Sequence, residues 1–310
     1  MRIYVLDPFD QAGVDLAAQR AELVLWDDPR VRNWHEDADG LMVRLTPLTA
    51  ADFARAKKLK AICKQGVGVE SIDLAAARAH GITVCNTPGV NSEAVAELAL
   101  TLGLAAGRRV AEMDRAVRSG GRVLRESYLG IESWRRTVGV VGMGNIGTKV
   151  ARKWHGAFES RLMAYDPYVA ADHWAELPHT RAASLEEMLP QVDLLTLHLP
   201  LTQESRGMIG AQALSLMKPT AILVNAARGG IVDETALYEA LSSGHLFGAG
   251  LDVFSVEPPT TENPLVSLPN VVSTPHAAGG TLDTQRNSSL AVAQQLLDVL
   301  DGKEPWARVA

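Results

Sequence analysis

Three side chains that could act together chemically each follow a short apolar run in the second half of the chain. Arg228 follows "AILVNAA", Glu257 comes shortly after "GAGLDVF", and His276 follows "NVVSTP". If these runs are strands of one parallel sheet, their carboxyl ends meet at one edge, where such sheets bind ligands. We therefore expect the arginine, the glutamate and the histidine to lie close together.

The three residue types suit the oxidation and reduction of a 2-hydroxy acid. The planar guanidinium of Arg228 can bind a carboxylate and polarise the neighbouring carbonyl. Histidine is the residue type suited to exchange a proton at working pH, so His276 could pass one to or from the oxygen that changes between carbonyl and hydroxyl. Glu257 would orient that ring and favour its protonated form. Each residue alone is more often structural, but the conjunction favours a catalytic site.

A glycine-rich stretch predicts the cofactor. "TVGVVGMGNIG" places Gly142, Gly144 and Gly147 at the G-x-G-x-x-G spacing, between a strand-like and a helix-like run. Asp166 ends the next strand-like run, nineteen residues after Gly147. The glycines allow a tight turn, close approach of a pyrophosphate and close packing of helix on strand, while the helix N-terminus attracts phosphate. Since Asp166 could accept both ribose hydroxyls and would repel a 2′-phosphate, the stretch predicts NAD(H) rather than NADP(H).

The elements that must position these groups alternate along the whole chain. Short β-rich runs and Ala/Leu-rich amphipathic runs follow one another, a pattern typical of parallel sheets covered by helices. We predict an α/β protein of two doubly wound parallel-sheet domains, a Rossmann cofactor domain and a smaller flavodoxin-like substrate domain, with a cleft between them.

The domain order follows from two helical runs. The alternation pauses over residues 90–121, which we interpret as one long connecting helix between the domains. The C-terminal run has an apolar stripe and should pack back on the first domain. The prediction is a discontinuous substrate-binding domain of residues 1–97 and 281–310, and an NAD-binding domain of residues 98–280.

Composition narrows the class of protein. The 310 residues are 47% hydrophobic and 21% charged, as in a globular protein with two cores. A net charge of -6, without a block of Lys/Arg among aromatics, argues against a nucleic-acid partner. We also expect no membrane partner, a cytoplasmic protein, no metal site, and buried, reduced thiols at Cys63 and Cys85.

Seven runs together resemble the D-isomer-specific 2-hydroxyacid dehydrogenase family, especially its phosphoglycerate dehydrogenase-like branch. They are "GVGVESIDLAAARAHGITVCNTPGVNSEAVAELAL", "VGVVGMGNIG", "YDPY", "LHLPLTQESRGMIG", "LVNAARGGIVDETALYEAL", "GAGLDVFSVEP" and "TPHAAGGT". The resemblance covers nearly the whole chain. It implies an NAD-dependent oxidoreductase that acts on the CH-OH group of a small (R)-2-hydroxy acid, or on the 2-keto acid. On matching positions it implies the same catalytic Arg228, Glu257 and His276.

The resemblance also implies further contacts. Besides the three glycines, those to the cofactor would come from Asn145, Ile146, Asp166, Leu199 and Pro200 at the adenosine end, Ala226 along the dinucleotide, Asp252 at the nicotinamide carboxamide, and Thr87. The backbone of Val67 and Gly68 would bind the substrate carboxylate together with Arg228. The family further implies a homodimer joined through the cofactor domains and closure of the cleft during turnover.

A few positions depart from the family pattern or need separate treatment. Ser133 and Arg135 stand where the family usually has Leu and Gly, and Glu70 stands where aspartate is common. The chain stops at Ala310, so we expect no regulatory C-terminal domain. His198 follows an earlier strand and resembles a position beside the adenosine, which favours a non-catalytic role.

The identity of the acid stays open. Arg44 and Lys64 end two strands of the first domain and could meet a second anionic group on the substrate, or could equally be solvated surface charges. Phosphoglycerate, glycerate or hydroxypyruvate, glyoxylate and a dianionic acid such as sulfolactate are all compatible. An alternative of another class is a corepressor-like, NAD(H)-sensing interaction protein of the same fold. Formate oxidation is disfavoured, because Glu257 stands where formate dehydrogenases carry glutamine.

Overall fold

The computed structural model describes residues 1–120, 123–170 and 172–310. The chain divides into two compact units, unit 1 of residues 1–91 with 280–310 and unit 2 of residues 92–279. The division thus lies a few residues before the predicted boundary at 97/98, which would cut through the helix Ser92–Gly107. That helix stays whole because its buried side chains pack into the core of unit 2.

Strands and helices alternate along the chain. The strands are β1 Arg2–Val5, β2 Glu22–Val24, β3 Gly40–Val43, β4 Ala61–Lys64, β5 Thr83–Cys85, β6 Thr137–Val141, β7 Arg161–Tyr165, β8 Thr180–Arg181, β9 Leu194–Leu197, β10 Ile222–Asn225, β11 Gly248–Leu251 and β12 Val271–Ser273. The α-helices are α1 Gln11–Ala18, α2 Ala50–Arg55, α3 Leu74–Ala79, α4 Ser92–Gly107, α5 Val110–Arg118, α6 Asn145–Phe158, α7 Leu185–Met188, α8 Ala211–Leu216, α9 Glu234–Ser242 and α10 Leu282–Leu300.

Unit 1 is built on a five-stranded sheet in the order β2-β1-β3-β4-β5, and each pair of neighbouring strands is parallel. The C-terminal helix α10 buries Val292, Leu296 and Leu297 in a core shared with β1 and β4. Cys63 on β4 lies opposite Cys85 on β5 in the register of the sheet, and both are buried free thiols. Burial raises the pKa of the Cys63 thiol.

Unit 2 is built on a seven-stranded parallel sheet in the order β12-β11-β10-β9-β6-β7-β8. Strands β6, β9, β10 and β11 are buried along their whole length, because separate cores cover the two faces of the sheet. Since all strands run the same way, the loops that follow them lie along one edge. The prediction of two α/β domains, each built on a parallel sheet, is confirmed.

The predicted single connecting helix is wrong, since the structure has two helices, α4 and α5, with a break between them. Arg109 has a left-handed φ of 52°, and the Gly107 carbonyl accepts a hydrogen bond from the Ile131 N–H at 2.9 Å. A carbonyl bonded to a distant segment is lost to the next helical turn, so the helix ends there. Residue 121, the last of the predicted run, lies outside the described residues.

Candidate active site

His276 and Glu257 form a direct pair. The Nδ1 atom of His276 lies 2.7 Å from Oε2 of Glu257, and Oε1 of Glu257 accepts the Phe254 N–H at 3.0 Å. The imidazole is 47% exposed, and its Nε2 atom makes no hydrogen bond within the described part of the chain. One nitrogen of the ring is therefore held by the carboxylate, while the other is available to a ligand.

Asp252 fixes the backbone that carries His276. The His276 residue has a left-handed φ of 54°, which costs a side-chain-bearing residue about 1–3 kcal/mol. Its N–H donates to the Asp252 carbonyl at 2.7 Å. The buried Asp252 carboxylate accepts three further hydrogen bonds, from Thr274 Oγ1 at 2.6 Å, Ala277 N at 2.8 Å and Ala278 N at 2.9 Å. Both oxygens of Asp252 thus bind this loop, and its contact with a nicotinamide carboxamide stays a prediction.

Arg228 lies in the turn that follows β10, and Asn225 shapes that turn. The Asn225 side chain donates to the Arg228 carbonyl at 3.0 Å and accepts the Ala227 N–H at 3.1 Å. A Cβ atom on Gly229 would lie 1.9 Å from the Phe254 carbonyl oxygen, so only glycine allows this turn to pack on the backbone that leads to Glu257. Since β10, β11 and β12 are neighbours in the sheet, Arg228, Glu257 and His276 lie on adjacent loops at one edge.

The glycine-rich turn between β6 and α6 has the features of a pyrophosphate site. Gly142 has a φ of 92°, and a Cβ there would lie 2.2 Å from the His198 carbonyl oxygen. A Cβ on Gly147 would lie 2.0 Å from the Gly142 carbonyl oxygen, whereas a Cβ on Gly144 would meet nothing within 4 Å. The helix begins at Asn145 without a side-chain cap. Open space before uncapped N–H groups at a helix N-terminus is what a phosphate requires.

Asp166 lies beside this turn. One oxygen accepts the Met143 N–H at 2.9 Å, and the other accepts the Tyr168 N–H at 3.0 Å. Arg181 holds the segment after Asp166 through the carbonyls of Asp166, at 2.7 Å, and Val169, at 2.6 Å. Each carboxylate oxygen keeps a lone pair for a ribose hydroxyl. The residues of this unit therefore fit NAD(H).

The other residues of unit 2 that are predicted to contact the cofactor lie at the start of α6 or after β9 and β10. Ile146 is the second residue of α6, Leu199 and Pro200 come after β9, and Ala226 comes directly after β10. Burial lowers the pKa of His198 to about 3, and its Nε2 shares a hydrogen bond of 2.8 Å with Thr196 Oγ1. A histidine that stays neutral at working pH supplies no proton, which argues against a second acid here.

In unit 1, Thr87 and Asn86 hold the segment that contains Val67 and Gly68. The Gly66 N–H donates to Thr87 Oγ1 at 2.8 Å, and the Asn86 side chain donates to the Val67 carbonyl at 2.7 Å. Thr87 is buried, so in this structure its hydroxyl serves that segment. Its predicted contact with the cofactor, and those of Val67 and Gly68 with a carboxylate, stay predictions.

Arg44 directly follows β3, and Lys64 ends the neighbouring strand β4, where it pairs with Val43. The buried Asp7 carboxylate accepts the N–H groups of Arg44, at 2.6 Å, and Leu45, at 3.1 Å, and so fixes the turn after β3. The Lys64 ammonium donates to the Gln65 carbonyl at 3.3 Å. The two cations thus lie at one edge of the unit 1 sheet.

Sequence reasoning missed the residues that shape the loops of the site, among them Asn225, Asn86 and Thr274. A signal was present for the first two, because each is a polar residue directly after an apolar run, in "ILVN" and "TVCN". Among residues 1–120, 123–170 and 172–310, no group of three or more His, Cys, Asp or Glu side chains could hold a metal ion. Within the same ranges, no helix has the length and apolar character to span a membrane.

Comparison with known proteins decides the family. The model of the D-isomer specific 2-hydroxyacid dehydrogenase NAD binding domain matches residues 100–278. The chain is 40% identical to the glyoxylate reductase of Korarchaeum cryptofilum, over 98% of this chain and 94% of that enzyme. It belongs to the D-isomer specific 2-hydroxyacid dehydrogenase family. The predicted resemblance is confirmed, as is the predicted use of NAD(H).

Two further comparisons place this family member among its relatives. It is 42% identical to the D-3-phosphoglycerate dehydrogenase of Archaeoglobus fulgidus over 83% of this chain, and spans about half the length, 48%, of that enzyme. A D-lactate dehydrogenase with NAD+ from Lactobacillus jensenii matches over 100% of both chains, with a TM-score of 0.84 and 29% identity. These relatives support the predicted enzyme class, an oxidoreductase that acts on 2-hydroxy acids.

Proposed function

We propose that this dehydrogenase interconverts a small (R)-2-hydroxy acid and its 2-keto acid, with NAD(H) as the redox partner. The observation that carries the proposal is the 2.7 Å hydrogen bond between His276 and Glu257, at the sheet edge where the Arg228 turn also lies. That edge combines a cation for the carboxylate with a proton donor whose ring is already oriented.

Each member of the catalytic trio (Arg228, Glu257 and His276) has one task. Arg228 binds the carboxylate of the acid and polarises the neighbouring C2 carbonyl. His276 gives a proton from Nε2 to the carbonyl oxygen during reduction and takes it back during oxidation. Glu257 holds the opposite ring nitrogen, so that Nε2 points at the ligand and the imidazolium is stabilised. NADH, when bound, supplies the hydride to C2.

The cofactor would be held by the glycine-rich turn and the residues beside it. The helix N-terminus at Asn145 and Ile146 would bind the pyrophosphate, and Asp166 would accept hydrogen bonds from the ribose hydroxyls. Further contacts are proposed for Leu199, Pro200, Ala226, Asp252 and Thr87. On the substrate side, the backbone of Val67 and Gly68 joins Arg228 in binding the carboxylate.

The choice of acid is proposed from unit 1. Two cations at one edge, Arg44 and Lys64, suit a substrate with a second anionic group. Phosphoglycerate, for which one relative is named, carries such a group in its phosphate. The reductase relative, which the chain covers almost completely, is named for glyoxylate, which has none. Rates of NADH oxidation with glyoxylate, pyruvate, hydroxypyruvate, phosphohydroxypyruvate and sulfopyruvate decide between them.

If Arg44 binds a second anionic group of the substrate, the preference for a dianionic acid should depend on the positive charge of Arg44. The variant Arg44→Met should then lower kcat/KM at least tenfold for the preferred dianionic acid and leave pyruvate within twofold. An equal loss for both acids would remove the specificity role of Arg44. Tight NADH binding without turnover of any acid would contradict the proposed dehydrogenase activity and favour the NAD(H)-sensing alternative.

We propose in addition that two chains form a homodimer through unit 2 and that the enzyme works in the cytoplasm. A run of apolar side chains on this unit is at least 50% exposed, namely Val110, Val117, Leu124, Leu129 and Trp134. We propose that a second copy of the chain covers these exposed apolar side chains. Two free thiols and the use of NAD(H) support the cytoplasmic location.

A further inference from the structure

Glu234 is a carboxylate outside the catalytic trio that holds the segment carrying Glu257. It is the first residue of α9. Its Oε1 accepts the Ser255 N–H at 2.5 Å, and its Oε2 accepts the Asn263 side-chain amide at 2.8 Å. One side chain thus binds both ends of the segment 255–263.

Polar contacts, rather than buried side chains, hold this segment in place. Its side chains are exposed or half-buried throughout, and Val256 is 75% exposed. A cavity of about 370 Å³ is lined by residues of both the segment and α9, among them Pro259 and Tyr238. Since close packing is missing there, the position of the segment depends on its polar contacts.

A displacement of the segment would reach the proton donor in two steps. Ser255 directly follows Phe254, whose N–H donates to Glu257 Oε1. The other oxygen of Glu257 holds His276 Nδ1 at 2.7 Å. Moving Ser255 therefore moves the Glu257 carboxylate and turns the imidazole that it orients.

We infer that Glu234 is a positioning residue, which aligns His276 for proton transfer by anchoring the 255–263 segment through Ser255 and Asn263. The inference rests on the proposed function. A carboxylate in the first turn of a helix also favours the helix dipole, so the test must separate anchoring from charge.

A reciprocal exchange makes that separation. In Glu234→Gln the new amide faces the Asn263 amide, donor against donor, because the Asn263 oxygen already accepts the Leu265 N–H at 3.0 Å. In Asn263→Asp two carboxylates face each other. The double variant Glu234→Gln with Asn263→Asp restores a donor and an acceptor in reversed order, without the charge at the helix terminus. The control is Glu239→Gln, an exposed position on the same helix.

The expected result is a loss that the double variant reverses. Either single variant should lower kcat for keto-acid reduction about tenfold or more and raise the solvent deuterium isotope effect, because misplaced groups slow proton transfer. The dissociation constant of NADH should stay within twofold of the wild-type value in every variant. The double variant should restore kcat to within threefold of the wild type, and Glu239→Gln should keep it in that range. Hydrogen exchange at the Phe254 and Ser255 amides should accelerate in the single variants and recover in the double one.

Other outcomes would overturn the inference. One is that Glu234→Gln matches Glu239→Gln in rate and in amide exchange. The other is that the double variant is as impaired as the single variants. Either result means that the contacts of Glu234 with Ser255 and Asn263 do not position His276. If the wild type reduces no keto acid, the proposed function fails on its own. Amide exchange at Phe254 in the single variants then decides the positioning role: unchanged exchange refutes it, and accelerated exchange supports it.

Discussion

For the individual residues of the site, the important atoms are the polar ones that make no hydrogen bond within the protein and are available to a ligand. Glu257 uses one oxygen on the Phe254 N–H and the other on His276, so the pair is oriented before any ligand arrives. The Nε2 atom of His276 is left for the substrate. Asp252 differs, because it is buried and bonded on both oxygens to the loop that it holds.

The contrast between His276 and His198 gives the first prediction. Burial lowers the pKa of His198 to about 3, so this group is neutral above pH 4 and contributes no ionisation to the activity profile. His198→Asn should leave the shape of the kcat/KM profile between pH 5.5 and 9 unchanged, even if the absolute rate falls. A shifted or lost limb of the profile would show that His198, rather than His276, gives the proton.

At the scale of the element, the glycine-rich turn separates two uses of glycine. Gly147 is needed by the protein, since a Cβ would lie 2.0 Å from the Gly142 carbonyl oxygen. Gly144 is free of any such neighbour within 4 Å and has a φ of -72°, which alanine adopts readily. We therefore propose that the glycine at this position serves a ligand rather than the fold.

Two alanine variants test this separation. Gly147→Ala should lower the free energy of unfolding by about 1–3 kcal/mol, because backbone must move to admit the methyl group. Gly144→Ala should unfold like the wild type but bind NADH at least tenfold more weakly, since the methyl group would occupy the pyrophosphate position. Thermal unfolding without cofactor and a fluorescence titration with NADH measure the two effects. Wild-type NADH affinity in Gly144→Ala would place the dinucleotide elsewhere.

An ion-pair cluster between α4 and α6 gives a pH-dependent prediction. Hydrogen bonds from Lys149 and Lys153 lower the pKa of Glu93 to about 2. A lowered pKa in the folded state means that the stabilisation is complete above the unfolded value near 4.5 and is lost as the pH falls toward 2. Glu93 is half exposed, so the effect is small. The free energy of unfolding, measured by urea denaturation, should depend less steeply on pH in this window in Glu93→Gln than in the wild type. Above pH 6 the two proteins should show the same pH dependence.

At the scale of the whole molecule, the sequence was most informative where the sheet itself sets the geometry. Arg228, Glu257 and His276 could be placed together because parallel strands bring their carboxyl ends to one edge. The anchors of the loops could not be placed in this way. The contacts of Glu234 with Ser255 and of Asp252 with Ala278 depend on loop conformations that no periodic pattern encodes.

The break between α4 and α5 cannot be predicted from the sequence for a related reason. Helical periodicity runs across Gly107 and Arg109 without interruption, and the signal that ends α4 is a hydrogen bond from Ile131, far along the chain. Local patterns predict the elements well, whereas breaks and boundaries that are set by distant partners need the structure.

Assembly supplies the prediction at this scale. If unit 2 forms the dimer, light scattering after size exclusion should give twice the mass of the chain, and Trp134→Glu should reduce it to one chain. Trp306→Glu, which changes an equally exposed tryptophan of unit 1, is the matched control. A monomeric wild type at micromolar concentration, or dissociation by Trp306→Glu alone, would contradict a dimer through this surface.

In the proposed reaction, His276 gives the proton during the NADH-dependent reduction of a 2-keto acid. The most direct measurement is stopped-flow NADH oxidation with the preferred acid, in the wild type and in His276→Asn, together with NADH binding to both. We expect His276→Asn to lower the rate of hydride transfer at least a hundredfold and to keep the NADH affinity within threefold of the wild type. Turnover of His276→Asn at the wild-type rate would contradict it.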